Sequence, residues 1–173
     1  MKRFARALLL CAFALTAILS APIAASAQSD ATLLHANEAA KLLPDAVFYA
    51  GKSANTQLRN SAGLRFSGDH YTLAVLVDTS GYSSTVQEKY QGYLLTEVPL
   101  EFSGHRLPPG AYGFGFTGGQ FLVMDIGNHD LLHAACTHDA QMQRPMPLQI
   151  LEGGQSSYRL CSGRNCVAFQ PGQ

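Results

Sequence analysis

Beyond residue 27 the chain has no apolar run approaching the roughly 20 residues a membrane-spanning helix needs, so no transmembrane segment is expected there. It has no basic stripe either. Its 12 Lys/Arg and 12 Asp/Glu residues are scattered along the chain. With no line of cations to neutralise phosphates, nucleic acid is not an expected partner. The common catalytic signatures are missing as well: Gly-x-Ser-x-Gly, a Walker-type loop, His-Glu-x-x-His and Cys-x-x-Cys. Nothing in the pattern calls for a cofactor. No Asn-x-Ser/Thr acceptor occurs in the same stretch.

What the first 27 residues do have is the layout of an export signal. Lys2, Arg3 and Arg6 are followed by an apolar run from Ala7 to Leu19, and Ala25-Ser26-Ala27 supplies the small residues of a signal-peptidase site. Cys11 lies inside this run, and the bulky Leu10 before it argues against lipid modification. Residues 1–27 are therefore expected to be a cleaved secretory signal, and 28–173 a single domain. Removing 27 residues from 173 leaves 146, enough to bury a sizeable core without a metal. The signal carries three of the 12 basic residues and none of the acidic ones, so the mature chain has a formal charge of −3. Export places the mature protein in the periplasm or the medium, where disulfides persist.

Three cysteines follow the signal. Cys161 and Cys166 flank Ser162-Gly163-Arg164-Asn165. If Gly163 and Arg164 centre a two-residue hairpin turn, Ser162 faces Asn165 and Cys161 faces Cys166 in the closely spaced kind of pair that suits a disulfide. Two reduced, buried thiols are the alternative. Cys136 is left over in either case.

Apolar residues at helical spacing predict one helix over Ala31–Leu43, capped by Asp30 and stopped by Pro44. After Pro44 the period becomes 2 and stays there. Strand candidates include Thr56–Phe66, Tyr71–Asp78, Lys89–Glu97 and Ala111–Thr117, and many of the candidates carry alternating apolar or aromatic residues. Turn signals such as Ser67-Gly68-Asp69 and Gly118-Gly119 separate them. This rhythm predicts an all-β fold, an antiparallel barrel or sandwich of about 8–10 strands with one short N-terminal helix.

One strand has an unusual make-up. In Gly110–Thr117 the rings of Tyr112, Phe114 and Phe116 share one face, while Ala111, Gly113, Gly115 and Thr117 line the other. Glycine weakens a strand interior, so Gly113 and Gly115 imply close approach by another element or a ligand, or a sharp bend. Neighbouring core rings would fill that face. A ligand cavity would instead make Tyr112, Gly113, Phe114, Gly115 and Phe116 its lining. A ligand-holding barrel would be similar to small-molecule carriers such as the lipocalins. That family's Gly-x-Trp motif is absent, because the chain has no Trp.

Two other clusters suggest chemistry. Ala74–Thr79, an apolar strand ending in Asp78-Thr79, resembles the active-site strand of retroviral-type aspartic proteases, and Asp125–Leu132 is similar to the later segment that closes that fold. The resemblance implies a dimer whose paired Asp78 carboxylates share a proton and activate water. Ser80 displaces the expected glycine by one residue, to Gly81, and Asp125 stands where the family is apolar. Asp78 and Ser80 would otherwise form an ordinary turn. Separately, His129, His133 and Cys136 would share one face of a helix and could bind zinc there. On a strand His129 and His133 lie about 13 Å apart, too far for one ion.

Taken together, these features predict an exported, soluble β domain that binds a small or apolar molecule, or an envelope protein partner, without catalysis. The alternatives are a hydrolase centred on Asp78 and a zinc protein using His129, His133 and Cys136.

Overall fold

The computed structural model describes residues 31–154 and 156–172. The expected signal, residues 1–27, and the expected cap Asp30 lie outside the described residues.

Fourteen strands and two short helices follow one another: β1 Thr32–Leu34, α1 Ala36–Ala39, β2 Ala46–Tyr49, β3 Lys52–Phe66, β4 His70–Val77, α2 Ser84–Lys89, β5 Gly92–Thr96, β6 Leu100–Phe102, β7 His105–Leu107, β8 Gly110–Thr117, β9 Gln120–Met124, β10 Asp130–Ala135, β11 Thr137–His138, β12 Gln149–Gly154, β13 Ser157–Ser162 and β14 Asn165–Pro171. Every pairing is antiparallel. The strands form two sheets, ordered β1-β3-β4-β5-β8-β9-β10 with β2 beside β3, and β12-β13-β14-β6-β7 with β11 beside β14. The fold is all-β and sandwich-like, and among the described residues the sheets close into no barrel. The count exceeds the expected 8–10 because several strands are two or three residues long.

One apolar core joins the two sheets. Leu64, Phe114, Phe121 and Val123 of the larger sheet pack with Phe102, Leu160, Val167 and Phe169 of the smaller one. Phe102 stacks between Phe121 and Phe169, with ring centroids 5.2 and 5.5 Å away. These rings lie on the inner faces of the two sheets, while the outer faces of β8 and β9 are also covered, so Gly113, Gly115, Leu122 and Met124 are buried as well.

The predicted helix over Ala31–Leu43 needs correction. Thr32–Leu34 pair with Arg65, Leu64 and Gly63 as an edge strand, and helix remains only at Ala36–Ala39. Pairing with a 15-residue neighbour outweighs the local helical spacing. Ala39 and Leu43 still face inward, against Leu73 and Val75. The strand expected from Lys89 starts at Gly92, because Ser84–Lys89 coil into α2.

The hairpin at the cysteines forms as its spacing predicts. Ser162 pairs with Asn165 and Cys161 with Cys166. Gly163 sits at φ +58°, the left-handed region that a glycine-first turn requires. The two cysteines are bonded as a disulfide, with Cα atoms 4.1 Å apart.

Candidate functional site

The face of β8 that the sequence offered to a ligand is filled by protein. A Cβ on Gly113 would stand 2.5 Å from Tyr49 Cε2 and 3.0 Å from Tyr90 Cδ2, so the stacked tyrosine pair occupies that space. The Lys89 carbonyl lies over Gly115 in the same way. Phe114 and Phe116 belong to the core and contact Phe121. Tyr112 is half-buried, and its hydroxyl donates to the Pro108 carbonyl at 2.8 Å. Gly113, Phe114, Gly115 and Phe116 are thus packed against protein, with Tyr112 half-buried beside them.

Asp78 follows β4 in a turn. Its Oδ1 accepts from the Ser80 amide at 3.0 Å, and its own amide donates to the Asn55 carbonyl at 2.8 Å. The Ser80 hydrogen bonds hold the carboxyl below its usual range. Its local chemistry is that of a turn-capping carboxylate.

The histidines lie around β10, not on a helix. Asp125 Oδ1 accepts from the amides of Gly127 and His129, both at 2.9 Å, and the His129 ring Nδ1 lies 2.9 Å from Oδ2. The hydrogen bonds from His129 keep Asp125 ionised below its ordinary range. His133 is on the strand, its Nε2 3.4 Å from Asp130, which also pairs with Lys89 at 2.9 Å. Cys136 follows the strand, half-buried; burial pushes its thiol pKa up. The strand geometry separates His129, His133 and Cys136, and among the described residues no three His, Cys, Asp or Glu side chains are placed to hold a metal.

A site that the sequence analysis missed lies on the outer side of the smaller sheet. A groove of about 250 Å³ is lined by Glu101, Ser103, Gly104, Ser157, Ala168, Phe169 and Gln170. Glu101 of β6 stands directly opposite Gln170 of β14. The β6–β7 turn supplies Ser103 and Gly104, at φ +49° and +83°, which double the chain back on itself. On the far side, Ser157 begins β13, and its hydroxyl donates to the Gly154 carbonyl. Phe169 closes the floor, its ring turned into the core. Among the described residues, the side chains of Glu101, Ser103 and Gln170 have no protein partner, so a carboxylate, a hydroxyl and an amide face the groove with their hydrogen bonds unspent.

Comparisons with protein-family models, with curated proteins and with solved structures return no significant match.

Proposed function

We propose that this protein is an exported β-sandwich that binds a small polar molecule in the groove between β6 and β14, and that it does so without catalysis. The observation that carries this is the set of unpartnered Glu101, Ser103 and Gln170 side chains converging on one concavity. Such groups fix a ligand's orientation. They supply no nucleophile paired with a base, which covalent or hydrolytic chemistry requires. A polar ligand suits the groove better than an apolar one, and the glycine face of β8 is occupied by Tyr49, Tyr90 and the Lys89 main chain. Export is supported by the signal layout of residues 1–27 and by the Cys161–Cys166 bridge, which is suited to an oxidising compartment. Among the described residues no helix is long and apolar enough to cross a membrane.

Thermal denaturation of the exported, processed protein against a panel of sugars, amino acids, short peptides and nucleosides tests this directly. A ligand at a hundredfold excess over its Kd adds about 2.7 kcal/mol to the native state and raises the melting temperature. The same ligand must lose its effect when Ala168→Trp, at an exposed strand position lining the groove, fills it. Silence across the panel, or a shift that survives Ala168→Trp, overturns the assignment. Export is tested by fractionation and by the mass of the recovered chain, which begins at Gln28 if the signal is removed.

A further inference from the structure

The edge of β14 that faces away from β13 carries a ladder with one gap, and the gap opens onto the groove. Ser162 and Asn165 close the hairpin as a hydrogen-bonded pair, so main-chain groups alternate from there. Those of Arg164, Cys166, Ala168, Gln170 and Gly172 point to the outer edge. Four of the five find partners there. The Arg164 carbonyl accepts from the Asp139 amide at 2.9 Å, and Cys166 faces Thr137 of β11. Gln170 faces Glu101 of β6, and the Gly172 amide donates to the Pro99 carbonyl at 2.7 Å.

On this outer edge Ala168 has no strand opposite it among the described residues, and two turns explain why. Continuing the β6 register would place Ser103 there, but Ser103 and Gly104 turn back into β7. Continuing the β11 register would place Ala135 there, but Ala135 pairs with Gln120 in the other sheet. The chain changes sheets at Cys136, whose amide donates to the Gly119 carbonyl. The Ala168 N–H and C=O are left facing a space about one residue wide, with exposed Ala168 and unpartnered Glu101 in the same groove.

We propose that this gap receives the amino-terminal residue of a short peptide, an assignment that rests on the groove-binding reading above. The peptide completes the ladder as an antiparallel residue would: its carbonyl accepts from the Ala168 N–H and its terminal nitrogen donates to the Ala168 carbonyl. Direction follows from the register. β6 runs antiparallel to β14 and ends at this gap, so a residue inserted in line has its amino end on the Glu101 side. The α-ammonium then meets the Glu101 carboxylate. Arg106 stands opposite Glu101 in β7 but forms no ion pair with it, leaving that charge available. A long strand does not fit, because Phe102 and Cys136 continue the chain on either side; a terminal residue does, with the second residue of the peptide turning out of the sheet ahead of Cys136.

The test is a titration of the ¹⁵N-labelled exported protein with trialanine and with N-acetyl-trialanine, followed by the amide resonances. The expected result is a saturable shift of the Ala168 and Gln170 amides with trialanine. Acetylation and Glu101→Gln should each weaken binding about tenfold, the loss of one charge-assisted contact. Ala168→Pro removes an N–H that the fold does not use, at an edge position where proline is tolerated, and should abolish the shift while leaving the rest of the spectrum in place. Trialanine that moves no groove amide, or that binds Glu101→Gln and the acetylated form as tightly as the parent pair, overturns the proposal. If a non-peptide ligand moves Ser103, Gly104 and Gln170 while trialanine does not, only the peptide assignment fails. If nothing moves them, groove binding fails with it.

Discussion

Tyr49 and Tyr90 stack face to face, with ring centroids 3.7 Å apart and planes 11° from parallel, and their hydroxyls meet opposite fates. Tyr49 Oη donates to Asn128 Oδ1 at 2.8 Å, reaching a residue held in the left-handed region at φ +71°. Tyr90 Oη is buried with no hydrogen-bond partner among the described residues. The two rings fill the space over Gly113, so the pair is a packing device in which one hydroxyl is anchored and the other is not. Tyr90→Phe should therefore leave stability unchanged or raise it by about 1 kcal/mol, because a buried unsatisfied group is removed. Tyr49→Phe should lower it by about 1 kcal/mol through the lost bond to Asn128. Urea unfolding of both variants gives the comparison, and a loss at Tyr90→Phe equal to that at Tyr49→Phe would contradict it.

The same pair sets an alkaline limit. Burial raises the pKa of both hydroxyls above the ordinary value near 10.0, and the carboxylates of Asp125 and Asp130 raise Tyr49 further. The folded chain keeps these protons at pH values where the unfolded chain releases them. Stability is thus fully present below about pH 10 and falls as pH rises beyond it. Absorbance at 295 nm should show part of the tyrosine ionisation delayed until the protein unfolds. Full ionisation near pH 10 with the fold intact would contradict the burial of Tyr49 and Tyr90.

Glycine on β8 is a steric requirement, and the two positions differ in what resists a methyl group. At Gly113 the obstacle is the edge of two tyrosine rings, which can shift a little; at Gly115 it is the Lys89 backbone, which cannot. Gly113→Ala should cost about 1–3 kcal/mol, the usual range for overpacking. Gly115→Ala should cost more, displacing the segment before β5. Denaturant midpoints decide the order, and equal midpoints for parent and Gly115→Ala would refute it.

How much of this was legible beforehand depended on sequence distance. The Cys161–Cys166 hairpin is settled within six residues by Gly163 and the two cysteines, so its register could be read directly. Alternation marks the second half of β3 and the ring-bearing face of β8, while β4 reads as a short continuous apolar run buried on both faces. Thr32–Leu34 carries a local helical spacing that pairing overrides, because its partner Gly63 lies some 30 residues away in sequence. The filling of the Gly113 face by core rings was one of two explanations the sequence left open, and only Tyr49 and Tyr90 in place decide between them. The groove had no local signal at all. It is made from Glu101, Ser103, Ser157 and Gln170 on three strands, and the Ala168 gap exists only because β6 and β11 both stop short of it.

The disulfide offers the most direct test of the smaller sheet. Cys161 and Cys166 close a loop with a sequence separation of only 5, across a hairpin whose turn is already favourable. A loop that short restricts the unfolded chain modestly, by about 2 kcal/mol in the chain-entropy account. Both sulfurs are buried, so Cys161→Ala/Cys166→Ala avoids leaving a stranded thiol or hydroxyl in the core. The double variant should fold to the same sandwich, with its unfolding free energy lowered by about 2 kcal/mol and its urea midpoint lowered by roughly 1 M. Reductant should move the parent protein towards the variant and leave the variant where it is. A variant as stable as the parent would mean that the hairpin is held by strand pairing and core contacts alone, with the bridge contributing nothing.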